Sequence, residues 1–190
     1  SDISGPATKL GGRRPLPDPG VLQENLRRWG IDAGSLVVVY DNASGAQAGR
    51  AWWTLRWAGH ANVRLLDGGL RAWQAAGQDT AAEPVHPAGN GDITVTPGRM
   101  PWSGADEAAD TARKGALLDA GGQTAYEGDP DKPATGHIPG AICAGAKDSI
   151  GDDGCFRPTA DLQALFIGLG ADGTQPVGVY CGSGNAAAFE

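Results

Sequence analysis

Between Pro19 and Trp29 the apolar residues Val21, Leu22, Leu26 and Trp29 return at helical intervals, and Gly30 follows as a stop. The spacing predicts an α-helix there. Leu36–Tyr40 is instead a continuous β-branched and apolar run, which predicts a short strand buried on both faces. Past Asp41 the helical rhythm resumes over Ala46–Trp57. A strand is predicted at Val63–Leu66 and a helix at Leu70–Ala76. Trp52, Trp53 and Trp57 sit at helical spacing and read as core packing rather than as a ligand-stacking platform. Strands alternating with helices predict an α/β fold whose mainly parallel sheet carries helices on both faces.

The pattern then repeats. "LQENLRRWGIDAGSLVVVYD" ends at Asp41 and "LQALFIGLGADGTQPVGVYC" ends at Cys181, an offset of 140 positions without a gap. Leu22/Leu162, Gln23/Gln163, Gly30/Gly170, Asp32/Asp172, Val37/Val177, Val39/Val179 and Tyr40/Tyr180 are identical. Two similar domains follow. Residues 1–79 read as the first and 103–190 as the second. Residues 80–102, rich in Pro, Gly and small polar residues, read as the linker. Ser103 is the predicted N-cap of a helix over Ala105–Lys114, and Ala116–Ala120 the strand that opens the second domain. Comparing the repeats predicts a chain short of about 25 residues at the front and about 30 at the back. On that basis the isolated piece is expected to be unstable or inactive.

Composition narrows the chemistry. A formal charge of −7 disfavours nucleic-acid and anionic-membrane partners, and no apolar run approaches a membrane span. Cys143, Cys155 and Cys181 cannot all pair, no C-x-x-C is present and only three histidines are available. Neither a disulfide framework nor a metal site is expected, and a cytoplasmic, reducing setting fits best.

Candidate chemistry gathers in "VYCGSGNAA". A strand feeding a Gly-rich turn that opens a helix points successive N–H groups into one concavity, which favours a thiolate over a thiol. Cys181 is the predicted nucleophile. The amides of Gly182, Ser183, Gly184, Asn185 and Ala186 are the predicted anion cradle, with Gly182 and Gly184 supplying positive φ. A cysteine phosphatase would need an arginine six positions on, where Ala187 stands. Asp41, at the matching place in the first domain, is expected to cap the following helix and fill the nest itself. Asp119 either supports the site loop or simply ends its strand.

"GHIPGA" (Gly136–Ala141), "VYCGSG", "LLDGGLRAW" (Leu65–Trp73) and "LLDA" (Leu117–Ala120) together resemble the tandem-domain rhodanese family of sulfurtransferases, over essentially the whole chain. The resemblance implies two rhodanese-like domains, the first non-catalytic. It implies transfer of a sulfane sulfur from thiosulfate or 3-mercaptopyruvate, through a persulfide on Cys181, to cyanide or a thiol acceptor such as thioredoxin. No metal or organic cofactor is implied. Two arginines of the family's pattern are replaced here by Gly121 and Glu127, leaving Lys132, Lys147 or Arg157 to hold the donor. A low-turnover persulfide carrier or redox-sensing module is the alternative implied by that loss. His137 is expected to fix a turn rather than act as a base, and Cys143 and Cys155 to be inert.

Overall fold

A computed structural model describes residues 2–9, 11–132 and 135–190. The chain divides into two compact units, Ser1–Pro101 and Trp102–Glu190.

In the first unit, helix α1 (Pro19–Arg28) starts where Asp18 Oδ1 accepts the Gly20 and Val21 amides at 2.9 and 3.0 Å, with proline at the first position. Arg27 and Arg28 close it, and Gly30 turns the chain with φ of 73°. Leu22 and Leu26 are wholly buried, each burial worth roughly 1.5–3 kcal/mol. They join Leu55, Trp57, Val63 and Ile93 in one cluster, against which Val37, Val39, Trp52 and Trp53 pack. Strand β1 (Val37–Val39) pairs in parallel with β2 (Val63–Leu65), joined by helix α2 (Ala46–Trp57); helix α3 (Gly69–Ala75) follows.

Two expectations change here. The run Leu36–Tyr40 is buried on one face only, since Val37 and Val39 point to the core while Leu36, Val38 and Tyr40 are half or more exposed. The pleat alternates side chains, and only one side of this two-stranded sheet is covered. Nor is the whole of 80–102 a tether. Gly91 donates to the Arg27 carbonyl, Ile93 to Ile31, Thr96 to Ala58 and Arg99 to Trp57, and Ile93 is 3% exposed. A Cβ at Gly91 would lie 2.1 Å from the Ile31 oxygen, so the bare backbone is what lets this strap lie flat. Proline and glycine richness signals irregular backbone here, not freedom.

The second unit opens with helix α4 (Ala105–Lys114). Its cap is Gly104, not Ser103: the Glu107 carboxylate reaches back to the Gly104 N–H at 2.9 Å. Strand β3 (Ala116–Asp119) lies between β4 (Ile142–Cys143) and β5 (Val177–Tyr180), all parallel. Helix α5 (Gln123–Glu127), the 3-10 turn Ala146–Ser149 and helix α6 (Thr159–Gly168) complete it. All four residues of β3 are buried. Thr111 of α4 lies against Gly178 near Leu117, while Phe166 and Leu169 from α6 and its C-cap pack on Ala116 and Leu118. Alternation puts these on opposite faces, so this sheet carries a helix on each side.

Candidate active site

The carboxyl ends of β3, β4 and β5 are where a parallel sheet offers a binding crevice. Register sets Cys143 beside Asp119 and Asp119 beside Tyr180. Cys181 follows directly, with the Ala120 N–H donating to the Tyr180 carbonyl at 2.9 Å. The Gly184 N–H donates to Cys181 Sγ at 3.1 Å, and Gly184 has φ of 79°.

The rest of the cradle is less complete than the sequence suggests. Ser183, Asn185 and Ala186 give no N–H to the sulfur among the described residues, and Gly182 does not adopt positive φ. Residues 185–189 form turns rather than an α-helix. The Gly184 carbonyl accepts Ala188, and the Ala186 carbonyl accepts Phe189 and Glu190. Phe189 stacks on Phe156 at 4.8 Å and Ser149 Oγ donates to the Glu190 carboxylate at 3.2 Å, anchoring the segment to the loop after the 3-10 turn. Burial raises the Glu190 pKa, with the Ser149 bond opposing it. Asn185 is 8% exposed, and its side-chain oxygen finds no partner among the described residues.

Asp119 does more than end a strand. It is 4% exposed, Oδ1 accepts the Gly121 N–H at 2.8 Å, and it stands opposite Tyr180 in the β3–β5 register. A Cβ at Gly121 would fall 2.9 Å from Asp119 Oδ1, so an arginine there would displace this carboxylate. Tyr180 also accepts the Ile138 N–H at 2.9 Å. Burial, and then the Asp119 carboxylate, push its pKa up to about 12, although the Ile138 bond opposes them. In the 136–141 loop, His137 Nδ1 lies 2.7 Å from the Tyr126 carbonyl and the two rings stack at 3.7 Å, so His137 holds a turn. Burial raises the Cys143 pKa, and Asp119, Asp148 and Glu127 add to it, which keeps that thiol protonated and weakly nucleophilic. Among the described residues no cluster of three metal-ligating side chains forms, and no helix is long and apolar enough to cross a membrane.

The first unit shows what a filled cradle looks like. Asp41 Oδ1 accepts Ala43 at 2.9 Å and Gly45 at 3.0 Å, while Oδ2 accepts Gln47 and Ala48, each at 3.1 Å. Partial burial raises the carboxyl pKa, but the amides of Ala48, Ala43, Gly45 and Gln47 together outweigh it, and the net direction is down. Gly69 seals the loop from above. Its φ is 59°, and a Cβ there would sit 2.4 Å from the Asp41 oxygen that accepts Leu70 N–H.

Two features of the site carry little mark in the sequence. Tyr180 reads there as an ordinary strand residue, and the orphaned side-chain oxygen of Asn185 has no local signature. Identity of Tyr40 with Tyr180 is the only signal for the first.

Residues 7–76 match the family model described as a rhodanese-like domain. A Pseudomonas aeruginosa protein named "Probable 3-mercaptopyruvate sulfurtransferase" is 42% identical over 96% of this chain and 66% of its own length. A Corynebacterium glutamicum thiosulfate sulfurtransferase is 32% identical over 98% of this chain and 64% of its own. The chain thus spans just under two thirds of these curated relatives. The crystal structure of SseA from Escherichia coli, titled as a 3-mercaptopyruvate sulfotransferase of rhodanese fold, superposes with a TM-score of 0.81. Identity there is 27%, and the match covers 98% of this chain and 71% of that one.

Proposed function

We propose, for a chain that belongs to the rhodanese family, that Cys181 carries sulfur from a small anionic donor to cyanide or a thiol. The Cys181 thiolate attacks the outer sulfur of thiosulfate, or the sulfur of 3-mercaptopyruvate. The S–S or C–S bond breaks, and sulfite leaves, or pyruvate leaves once its carbanion has taken up a proton. The terminal sulfur of the resulting persulfide then passes to the acceptor, restoring the thiolate. Sulfur itself is the covalent carrier, so the scheme needs no metal or organic cofactor.

The observation that carries this reading is the Gly184 N–H on Cys181 Sγ at the carboxyl end of β5. Such a donor is placed to stabilise negative charge that develops on sulfur during transfer. The remaining cradle amides, of Gly182, Ser183, Asn185 and Ala186, are assigned to the donor and departing group. The Asp41 loop lends support, because a loop at the same place in the repeat holds a carboxylate on four amides.

A donor anion also needs a cation. Lys132 is held by Asp129 at 2.6 Å, and Arg157 by the Asp148 carbonyl at 3.1 Å with Asp161 at 3.8 Å. Lys147 has no such partner among the described residues. Its turn also adjoins the end of β3, where the Ala146 N–H donates to the Ala120 carbonyl. We assign the donor carboxylate or sulfonate to Lys147. Cys143 and Cys181 are free thiols, which suits a reducing compartment such as the cytoplasm and an acceptor such as thioredoxin.

The test is thiocyanate or pyruvate formation by the intact protein from each donor, wild type against Cys181→Ser. Turnover that falls by at least about 10³-fold in the variant is expected. Equal rates overturn the reading. A persulfide with negligible turnover favours the carrier alternative instead.

A further inference from the structure

A hydrogen-bonded and stacked chain of residues in the second unit runs past Cys181 without including it. The 136–141 loop is fastened at one side to Tyr126: His137 stacks on that ring and bonds its carbonyl, and the Tyr126 phenol donates to the Ala141 carbonyl at 2.8 Å. These contacts join the loop to the end of helix α5. Its tie to the strand that ends before Cys181 is the 2.9 Å donation from Ile138 N–H to the Tyr180 phenol oxygen. Opposite Tyr180 in the sheet stands the buried Asp119, whose carboxylate holds the Gly121 amide.

The geometry points to Tyr180 as a positioning residue, one that sets the backbone at Cys181 by tying the 136–141 loop to the end of β5. This deepens the sulfur-transfer reading and rests on it. The physical reason lies in the cradle. With a single amide seen on the sulfur, the position of Sγ relative to Gly184 depends on where β5 ends and in which direction it leaves the sheet. A phenol that accepts from the loop ties it to β5 at the residue immediately before the nucleophile. Leaving the Ile138 N–H without this partner loosens the loop's hold on β5. The phenol stays protonated across the working range, so the tie does not depend on pH.

Tyr180→Phe removes the hydroxyl and keeps the ring. In the intact protein, single-turnover persulfide formation at saturating donor should slow by roughly ten-fold, with donor KM within about two-fold of wild type. Tyr126→Phe is the control. It cuts the loop's bond to Ala141 but leaves the tie to β5, and its loading rate should stay within about two-fold. Equal slowing in both variants, a change in KM alone, or full speed in Tyr180→Phe overturns the inference. If Tyr180→Phe does not fold, Asp119→Asn changes the buried carboxylate opposite Tyr180 in the sheet, and the same slowing at constant KM is required. Iodoacetamide labelling of Cys181, with Cys143 and Cys155 replaced by serine, separates the two proposals. Should wild type load no sulfur, the transfer reading falls, and the tie stands only if labelling is still slower in Tyr180→Phe.

Discussion

Asp41 and Cys181 occupy equivalent places in the two halves, Asp41 two residues past the end of β1 and Cys181 directly after β5, each before a loop rich in small residues. Their loops have settled differently. Around Asp41 four amides converge on two carboxylate oxygens, a full helix follows, and Gly69 brings another backbone within reach of the Asp41 carbonyl. Around Cys181, among the described residues, the Gly184 amide meets the sulfur and the buried Asn185 oxygen is unpartnered. The contrast teaches that such a loop has a limited supply of N–H groups, and a residue that uses them all leaves none for a visitor. A carboxylate satisfies the loop from within. A thiol presents a single acceptor atom, so fewer of the loop's N–H groups can converge on it.

The comparison can be sharpened by moving the thiol. Asp41→Cys, with Cys181 replaced by serine, places a sulfur in the fuller ring of amides. Its alkylation at neutral pH should exceed that of Cys143 by at least about ten-fold, because thiolate character sets the rate and burial with three nearby carboxylates raises the Cys143 pKa. Equal rates would mean that converging amides do not activate a thiol in this fold.

A smaller effect comes from neutralising the carboxylate. Asp41→Asn offers one carbonyl oxygen where the wild type has two, so at most part of the four-amide cap survives. A loss of about 1 kcal/mol at neutral pH is expected in denaturant unfolding, as for other capping residues. The sign with pH follows from the lowered native pKa. The carboxylate's contribution is present above its unfolded pKa and disappears as pH falls through the lower native value. Wild type and variant should therefore converge in acid and differ above about pH 4. A gap that persists unchanged into acid would contradict the cap.

Smallest is the cation. Lys147 is solvent-exposed, and exposed ion pairs contribute about 1 kcal/mol or less. Lys147→Ala should raise donor KM by no more than about five-fold with kcat unchanged, and should flatten the dependence of KM on salt. An unchanged KM and salt dependence would remove Lys147 from the donor site.

Much of this is legible in the chain. Ala46–Trp57 and Ala105–Lys114 form helices with the bounds their periodicity predicts, because amphipathic spacing and the flanking glycines agree. The gapless repeat makes Asp41 and Cys181 equivalent on sequence alone. What escapes is whatever depends on contacts distant in sequence. Leu36, Val38 and Tyr40 read as buried because a run of apolar residues says nothing about how many layers will cover it. The strap at 91–100 binds residues far back in the chain, as in the Asp92 N–H bond to Asp32 across 60 positions, and its composition reveals only its irregularity. At the cysteine, residue types specify a cradle, but which amides meet the sulfur is read only from the folded loop, as with Gly184. Tyr180 is tied to Ile138 across 42 positions, which no local pattern announces.

The central claim is that Cys181 holds a transferable sulfur. Intact-protein mass spectrometry after brief exposure to thiosulfate or 3-mercaptopyruvate tests it most directly. The account predicts a gain of one sulfur atom on the wild type, located on the Cys181 peptide, absent from Cys181→Ser and removed by cyanide or thiol. No gain on the wild type, or the same gain on the serine variant, would contradict it.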